Sequence, residues 1–244
     1  MNNTLIKGLQ LLELIVRSDR PRALSELATS IGVGKSSVHR LLQGLVESGY
    51  LEKDVEKGSY RATLRIWELG QSMDAVTAIK AASADAMARL LGRTRETVHL
   101  SVLQGNEVVY LAKLDSPEPV RAYSEVGGRA PAHCVATGKA LLAWLPKETL
   151  APLSKRLMRH TPSTITEPAA FLQEMEHVRS SGFAVNHGEW RDAVWGVAAP
   201  IRRSDGVPLA AIGISGPASR IKAKPLREFA DEVVSAARSI SSRL

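Results

Sequence analysis

In the first quarter of the chain the apolar residues recur at three- and four-residue steps, the period of helices that bury one stripe. Between Thr4 and Val16 they are Leu5, Leu9, Leu12 and Ile15 or Val16, which predicts a first helix. A turn at Asp19 to Arg22 precedes LSELATSIG, where Ser25 is the expected N-cap, Leu27, Ala28 and Ile31 the inner face and Gly32 the stop. After Gly34, Val38, Leu41, Leu42, Leu45 and Val46 keep the spacing and predict a third helix that ends at Gly49. YLEKDVEKGSYRAT then reads as two short strands around a charged turn at Glu56 to Gly58.

Helical periodicity continues almost unbroken through LRIWELGQSMDAVTAIKAASADAMARLLGRT, expected as a linker helix running into the first helix of a second domain. With a boundary near Asp74, the predicted division is 1–63, a linker over 64–74, and 75–244. ETVHLSVLQ and NEVVYLAKLD flank Gly105 and Asn106, residues that tolerate positive φ, and predict a hairpin. Beyond lie a Gly- and Pro-rich loop (EVGGRAPAH), helices in VATGKALLAWL and PAAFLQEMEHVRSSG, strands in FAVNH, AVWGVAAPI and PLAAIGISG, and a terminal helix from Pro225 to Arg243. By itself this second domain reads as α/β or α+β, with helices flanking an antiparallel sheet; α+β is the class expected for the chain.

Composition narrows the picture. An apolar content of 44% with 23% charged residues is that of a globular chain able to bury a core, which excludes disorder and fibrous repeats. The formal charge of +7 permits a polyanionic partner without naming one. Cys134 is the only cysteine, which excludes a disulfide framework and fits a reducing compartment. MNNTLIKGLQLLELIVRSD has no basic leader before an apolar block, and no run of about 18 apolar residues occurs. The expectation is therefore a cytoplasmic protein without membrane contact.

The third helix has the composition of a DNA reader. Away from its leucines it carries Lys35, Ser36, Ser37, His39, Arg40 and Gln43, which can donate to phosphates and base edges. Arg40 suits guanine and Gln43 adenine. The hairpin adds Lys53, Lys57, Ser59, Tyr60 and Arg61, expected on an exposed wing beside neighbouring phosphates, with Glu52, Asp54 and Glu56 diluting its charge. A solvated hairpin on a small helical core is the bland alternative.

In the second domain, GGRAPAHCVATGKALLA sets small residues ahead of a helix start, where backbone N–H groups favour an anion such as a small carboxylate. Gly127, Gly128 and Ala130 leave room for close approach, and His133 and Thr137 offer hydrogen bonds. A tight structural turn explains the same residues equally well. Cys134 beside His133 invites a nucleophile-base reading, but adjacent side chains diverge and no orienting acid is in evidence, so a buried cysteine and no enzyme are expected. His99, His160, His177 and His187 have no paired ligand spacing, and neither a metal nor another cofactor is expected.

Taken in order, LLELIV, LSELATSIGVGKSSVHRLLQGLVESGYLEK, the hairpin and the apolar linker resemble the isocitrate lyase regulator (IclR) family of bacterial transcription factors. EVGGRAPAHCVATGKALLAWLP, GFAVNHGEW, GVAAPI and AAIGISGPASRI extend the resemblance over nearly the whole chain. It implies a winged helix-turn-helix, a linker helix and a GAF-like effector domain. It also implies dimers, often paired into tetramers, on a pseudo-palindromic double-stranded operator, and modulation by a small organic acid. For the effector pocket it implies Ala130, Ala136, Thr137, Asn186 and Gly196. Many relatives have an acidic residue where Asn186 stands and a cysteine where Gly196 stands; with Trp190 and Trp195 nearby, the departure suits a larger or ring-containing acid. Leu64, Ile66, Trp67, Leu69 and Met73 offer a face for a partner subunit. The competing class is a metabolic enzyme with an appended nucleic-acid module.

Overall fold

A computed structural model describes residues 3–223 and 225–244, and the chain divides into two compact units, residues 1–74 and 75–244. In the first, α1 (Asn3–Val16), α2 (Leu24–Ile31) and α3 (Lys35–Glu47) enclose Leu11, Ile15, Leu27, Val38 and Leu42. The hairpin of β2 (Leu51–Asp54) and β3 (Ser59–Ala62) closes this core with Leu51 and Tyr60. The segment read as a turn contains a further strand, β1 (Arg22–Ala23), paired antiparallel to β3. Two residues are too few to show alternation, and the strand exists because β3 presents an edge to it.

Two local expectations are corrected. Ser25 does not cap α2: the helix starts at Leu24 behind Ala23, whose N–H donates to Glu26 Oε2 at 3.4 Å, while Arg20 and Arg22 hold the same carboxylate. The buried stripe of α1 is also turned from the one predicted: Leu11 and Ile15 are buried, Leu12 is half-buried, and Leu5, Leu9 and Val16 are largely exposed. This helix carries apolar residues on two faces, and contact with α3 and β3 selects between them.

The linker helix and the first helix of the second unit are separate, as the reading of this segment expects. α4 (Arg65–Gln71) ends at Ser72, whose N–H turns back to Glu68 and Leu69, and α5 (Asp74–Thr94) restarts with an acid in its first turn. Leu64, Trp67, Leu69 and Met73 are exposed and Ile66 is half-buried.

The second unit is built on one antiparallel six-stranded sheet. Its strands are β4 (Thr97–Gln104), β5 (Glu107–Leu114), β6 (Arg129–Pro131), β7 (Ala184–His187), β8 (Val194–Arg202) and β9 (Pro208–Pro217), in the order β6-β5-β4-β9-β8-β7. The β4–β5 hairpin turns at Gly105 with φ 62°, as its sequence requires. Alternation sorts the side chains: Val98, Leu100, Val197, Ala199, Ile201, Ala210 and Ile212 face one core with α5, α9 (Ala218–Lys222) and α10 (Leu226–Ser241). Ala198 and Ala211 face the opposite core with α6 (Ala136–Leu142), α7 (Lys147–Ser154) and α8 (Pro168–Ser181). The sequence reading contained neither α7 nor β6; α7 is short with an internal Pro152, and β6 is three residues inside a Gly-Pro stretch.

Candidate functional site

α3 presents one face to its own core and another outward. Val38 and Leu42 have no exposed surface, and Leu41, Leu45 and Val46 are half-buried. Lys35, Ser36, His39, Arg40 and Gln43 are exposed along the opposite side, and Ser37 is half-buried. Ser37 and Arg40 border a surface hollow shared with Lys7 of α1. Gln43 donates to Glu47 at 3.0 Å, a solvent-side partner it must release to reach a base. On the hairpin, Lys53, Lys57 and Arg61 are exposed, and Arg61 is paired with Glu52. Ser59 and Tyr60 depart from the expectation of exposure: both are buried, and Tyr60 is only 3% exposed. Strand pairing puts Tyr60 opposite Lys53 and packing puts its ring in the core, so the hairpin offers the Lys53 ammonium to solvent and not the phenol.

The second unit holds a cavity whose empty space, counted with its mouth open to solvent, is about 500 Å³. Of the residues expected there, Ala136, Thr137, Asn186, Trp190 and Gly196 line it. Gly128, Ala130, His133 and Trp195 do not. Gly128 accepts the Tyr110 N–H, Ala130 pairs with Val108 in β6, and His133 turns to the Met158 carbonyl at 3.0 Å. Trp195 precedes Gly196 on β8 and therefore faces the other side of the sheet, edge-on to His187 with Lys222 Nζ 4.4 Å above its ring. The Gly-Pro stretch is thus tied to β5, and it leads into a seven-residue helix too short to attract an anion by its dipole alone.

The chemistry of the cavity comes largely from residues the sequence did not mark. His99 of β4 sits between two hydroxyls, with Nε2 2.6 Å from Ser215 Oγ and Nδ1 3.2 Å from Ser124 Oγ. Burial pushes its pKa down to about 4, with Lys113 adding to the effect, so the ring is neutral at pH 7. Burial pushes the Tyr110 phenol up to about 12, also neutral. Arg191 is the lining cation, lying 4.8 Å over the Trp190 ring, and no acidic side chain lines the cavity among the described residues. Ala122, Val135, Val194 and Trp190 supply apolar wall. The signal for His99 was a polar residue in an otherwise apolar run, ETVHLSVLQ; nothing local marked Ser124, Arg191 or Ser215.

Asn186 lines the cavity but its amide is occupied by the following turn. Its Oδ1 accepts from Gly188 and Glu189 N–H at 3.1 and 2.8 Å, and its Nδ2 donates to Val194 O at 3.4 Å. That turn also carries Glu189, which with Glu174 binds Lys139 of α6; both contacts are 2.8 Å, and Lys139 has no exposed surface. Burial raises the Glu189 pKa while Lys139 opposes the shift. The network anchors α6 and the 186–191 turn together, which fixes Thr137 and Trp190 on the cavity wall. Cys134 is fully buried, and burial pushes its thiol up to about 12, so without a bound cation the side chain stays a protonated thiol.

Residues 71–242 match the model of the bacterial transcriptional regulator IclR C-terminal domain, and residues 4–55 match that of the IclR helix-turn-helix domain. The chain belongs to the IclR family. Among its relatives are the HTH-type transcriptional regulator KdgR of Escherichia coli K12, 34% identical over 93% of this chain and 87% of KdgR, and the transcriptional repressor IclR of the same organism, 30% identical over 98% and 88%. An IclR homolog from Microbacterium hydrocarbonoxydans, solved in complex with 4-hydroxybenzoate, is 29% identical with a TM-score of 0.85 over 98% of each chain. The Thermotoga maritima IclR structure gives 28% and 0.81 over 100% of this chain and 99% of that one. The protein is accordingly an IclR-family transcriptional regulator with an N-terminal DNA-binding domain and a C-terminal effector-binding domain. The competing reading as a metabolic enzyme finds no support.

Proposed function

We propose that this IclR-family regulator reads a pseudo-palindromic operator as a dimer through α3, and that an organic acid with a ring or other apolar body, held in the cavity of the second unit, modulates the binding. What carries the DNA half is the two-sidedness of α3, with Val38 and Leu42 sealed in the core while Lys35, His39 and Arg40 stay exposed. Such a helix enters a major groove without disturbing its own domain. One recognition helix makes few contacts, so two copies supply the affinity a specific site needs. The exposed Leu64, Trp67, Leu69 and Met73 favour that pairing, since apolar side chains grouped on the linker lose their water in a subunit interface. Action on chromosomal DNA supports a cytoplasmic location.

The effector half rests on Arg191 beside neutral donors and the Trp190 face, a set that takes one carboxylate and one ring. The 4-hydroxybenzoate of the Microbacterium homolog has that combination and is the first compound to try. Effector binding acts on DNA affinity only as far as it differs between conformational states.

The test is an operator selected from random DNA, followed by titration of variants. Arg40→Ala is expected to weaken the selected operator by about 10-fold or more while changing random DNA less, because it removes a base contact. Lys57→Ala should weaken both alike and lower the salt slope, because it removes a phosphate contact. Equal losses for both variants on both DNAs would overturn the assignment of base reading to α3.

A further inference from the structure

His133 and Cys134 lie on the 3-10 turn that immediately precedes α6, and His160 lies between α7 and α8. The fold brings one ligand-capable atom from each to within 4.8 Å of the others. Sequence spacing gives no hint of this, since His160 arrives from the far side of α7. We propose that His133, Cys134 and His160 form a binding site for a zinc-class transition metal, separate from the effector cavity and independent of the effector reading.

Two imidazoles and a thiolate are the borderline-soft donors that select zinc, cobalt or copper over magnesium or calcium. The wider surroundings match what such sites need. His133 Nε2 lies 3.0 Å from the Met158 carbonyl, which takes its proton and leaves the ring lone pair on Nδ1. A ligating histidine is commonly oriented by this kind of backbone partner. Glu189 is 2% exposed and its Oε2 has no hydrogen-bond partner, while its Oε1 holds Lys139; the charges of both residues reach Cys134, with opposite sign. His160 is exposed and gives the ion a way in, while Cys134 has no exposed surface and keeps the site closed on its inner side. Three protein ligands leave a fourth position for water.

The site bears on the rest of the unit through the chain. Thr161 and Thr164 already hold its segment to the backbone of Gly188 and Glu189 at 2.7 and 2.6 Å. A metal would add a further tie from this segment to His133 and Cys134, just before Ala136 and Thr137 enter the cavity wall. The ion would therefore fix the base of α6 in place.

Cobalt(II) titrated into the full-length, chelator-stripped protein reads the site directly. The sequence holds one cysteine, so a thiolate-to-cobalt charge-transfer band reports Cys134 alone. The expected result is one cobalt per chain with that band, loss of the band in Cys134→Ser, and at least about 10-fold weaker binding in His160→Ala, with zinc displacing the cobalt. His160→Ala alters an exposed side chain and keeps the test valid where Cys134→Ser fails to fold. Absence of the band at one equivalent, or a band of equal affinity in His160→Ala, overturns the proposal.

Discussion

Trp190 lies in the turn between β7 and β8 and Trp195 at the start of β8, and the two rings take opposite tasks. Trp190 packs with the α6–α8 side and lines the cavity under Arg191, whereas Trp195 packs with the α5–α10 side. Trp190→Ala is expected to leave the fold standing and to weaken binding of an aromatic carboxylate by about 10-fold, or ~1.4 kcal/mol. Trp195→Ala should lower stability by ~2 kcal/mol with ligand affinity retained, because it empties packing volume remote from the cavity. Calorimetric titration and thermal melts on the two variants separate these effects. A larger loss of affinity in Trp195→Ala than in Trp190→Ala would contradict the placement of the two rings.

At the scale of elements, α6 is where packing, charge and binding meet. A Cβ at Gly138 would collide with the Ala132 carbonyl, which explains why the G-K-A stretch begins with glycine. The obstacle is backbone, which cannot swing aside like the end of a side chain. Gly138→Ala is therefore expected to destabilise the second unit by ~3 kcal/mol despite the higher helix propensity of alanine. A variant melting at or above the parent temperature would show that α6 has slack against the 3-10 turn. Lys139, next along, has its ammonium between Glu174 and Glu189, so α6 is held on one face by contact and on another by charge. The wing shows the same division, since Tyr60 stabilises the hairpin from inside and leaves Lys53, Lys57 and Arg61 outside.

For the whole molecule, the buried imidazole of His99 couples stability to pH. Its pKa of about 4 in the folded chain lies below the ordinary 6.5, so the unfolded chain takes up the proton first as the medium is acidified. The stabilising contribution is complete above pH 6.5, falls as pH drops from 6.5 towards 4, and is gone below 4; its size is ~3 kcal/mol. Burial lowers His133 and His187 as well, which steepens the same window. Urea denaturation between pH 7 and 4 should show this decline, and His99→Gln should flatten part of it. An unchanged slope in His99→Gln would mean that the ring titrates normally and is not shut between Ser124 and Ser215.

The same division by scale describes how much was legible. The three N-terminal helices, the hairpin at Gly105 and the antiparallel class of the sheet follow from periodicity and turn residues, which are local. The rotation of α1 and the strand at Arg22 do not, because each depends on which neighbour is present. Family motifs brought Ala136, Thr137, Asn186 and Gly196 to the cavity but also suggested Ala130, which pairs in β6 instead.

The amino-acid sequence determined that a helix with a leucine-rich inner side would hold basic and amide groups outward, and that a second domain would fold around an antiparallel sheet. Those features repeat within a few residues and are written by side-chain chemistry alone. Tertiary structure alone decided that His99 would lie between Ser124 and Ser215, that Arg191 would share a cavity with Thr137, and that His160 would meet Cys134. Such meetings join residues distant along the chain, and only the packing of helices on both faces of the sheet sets the distances between them.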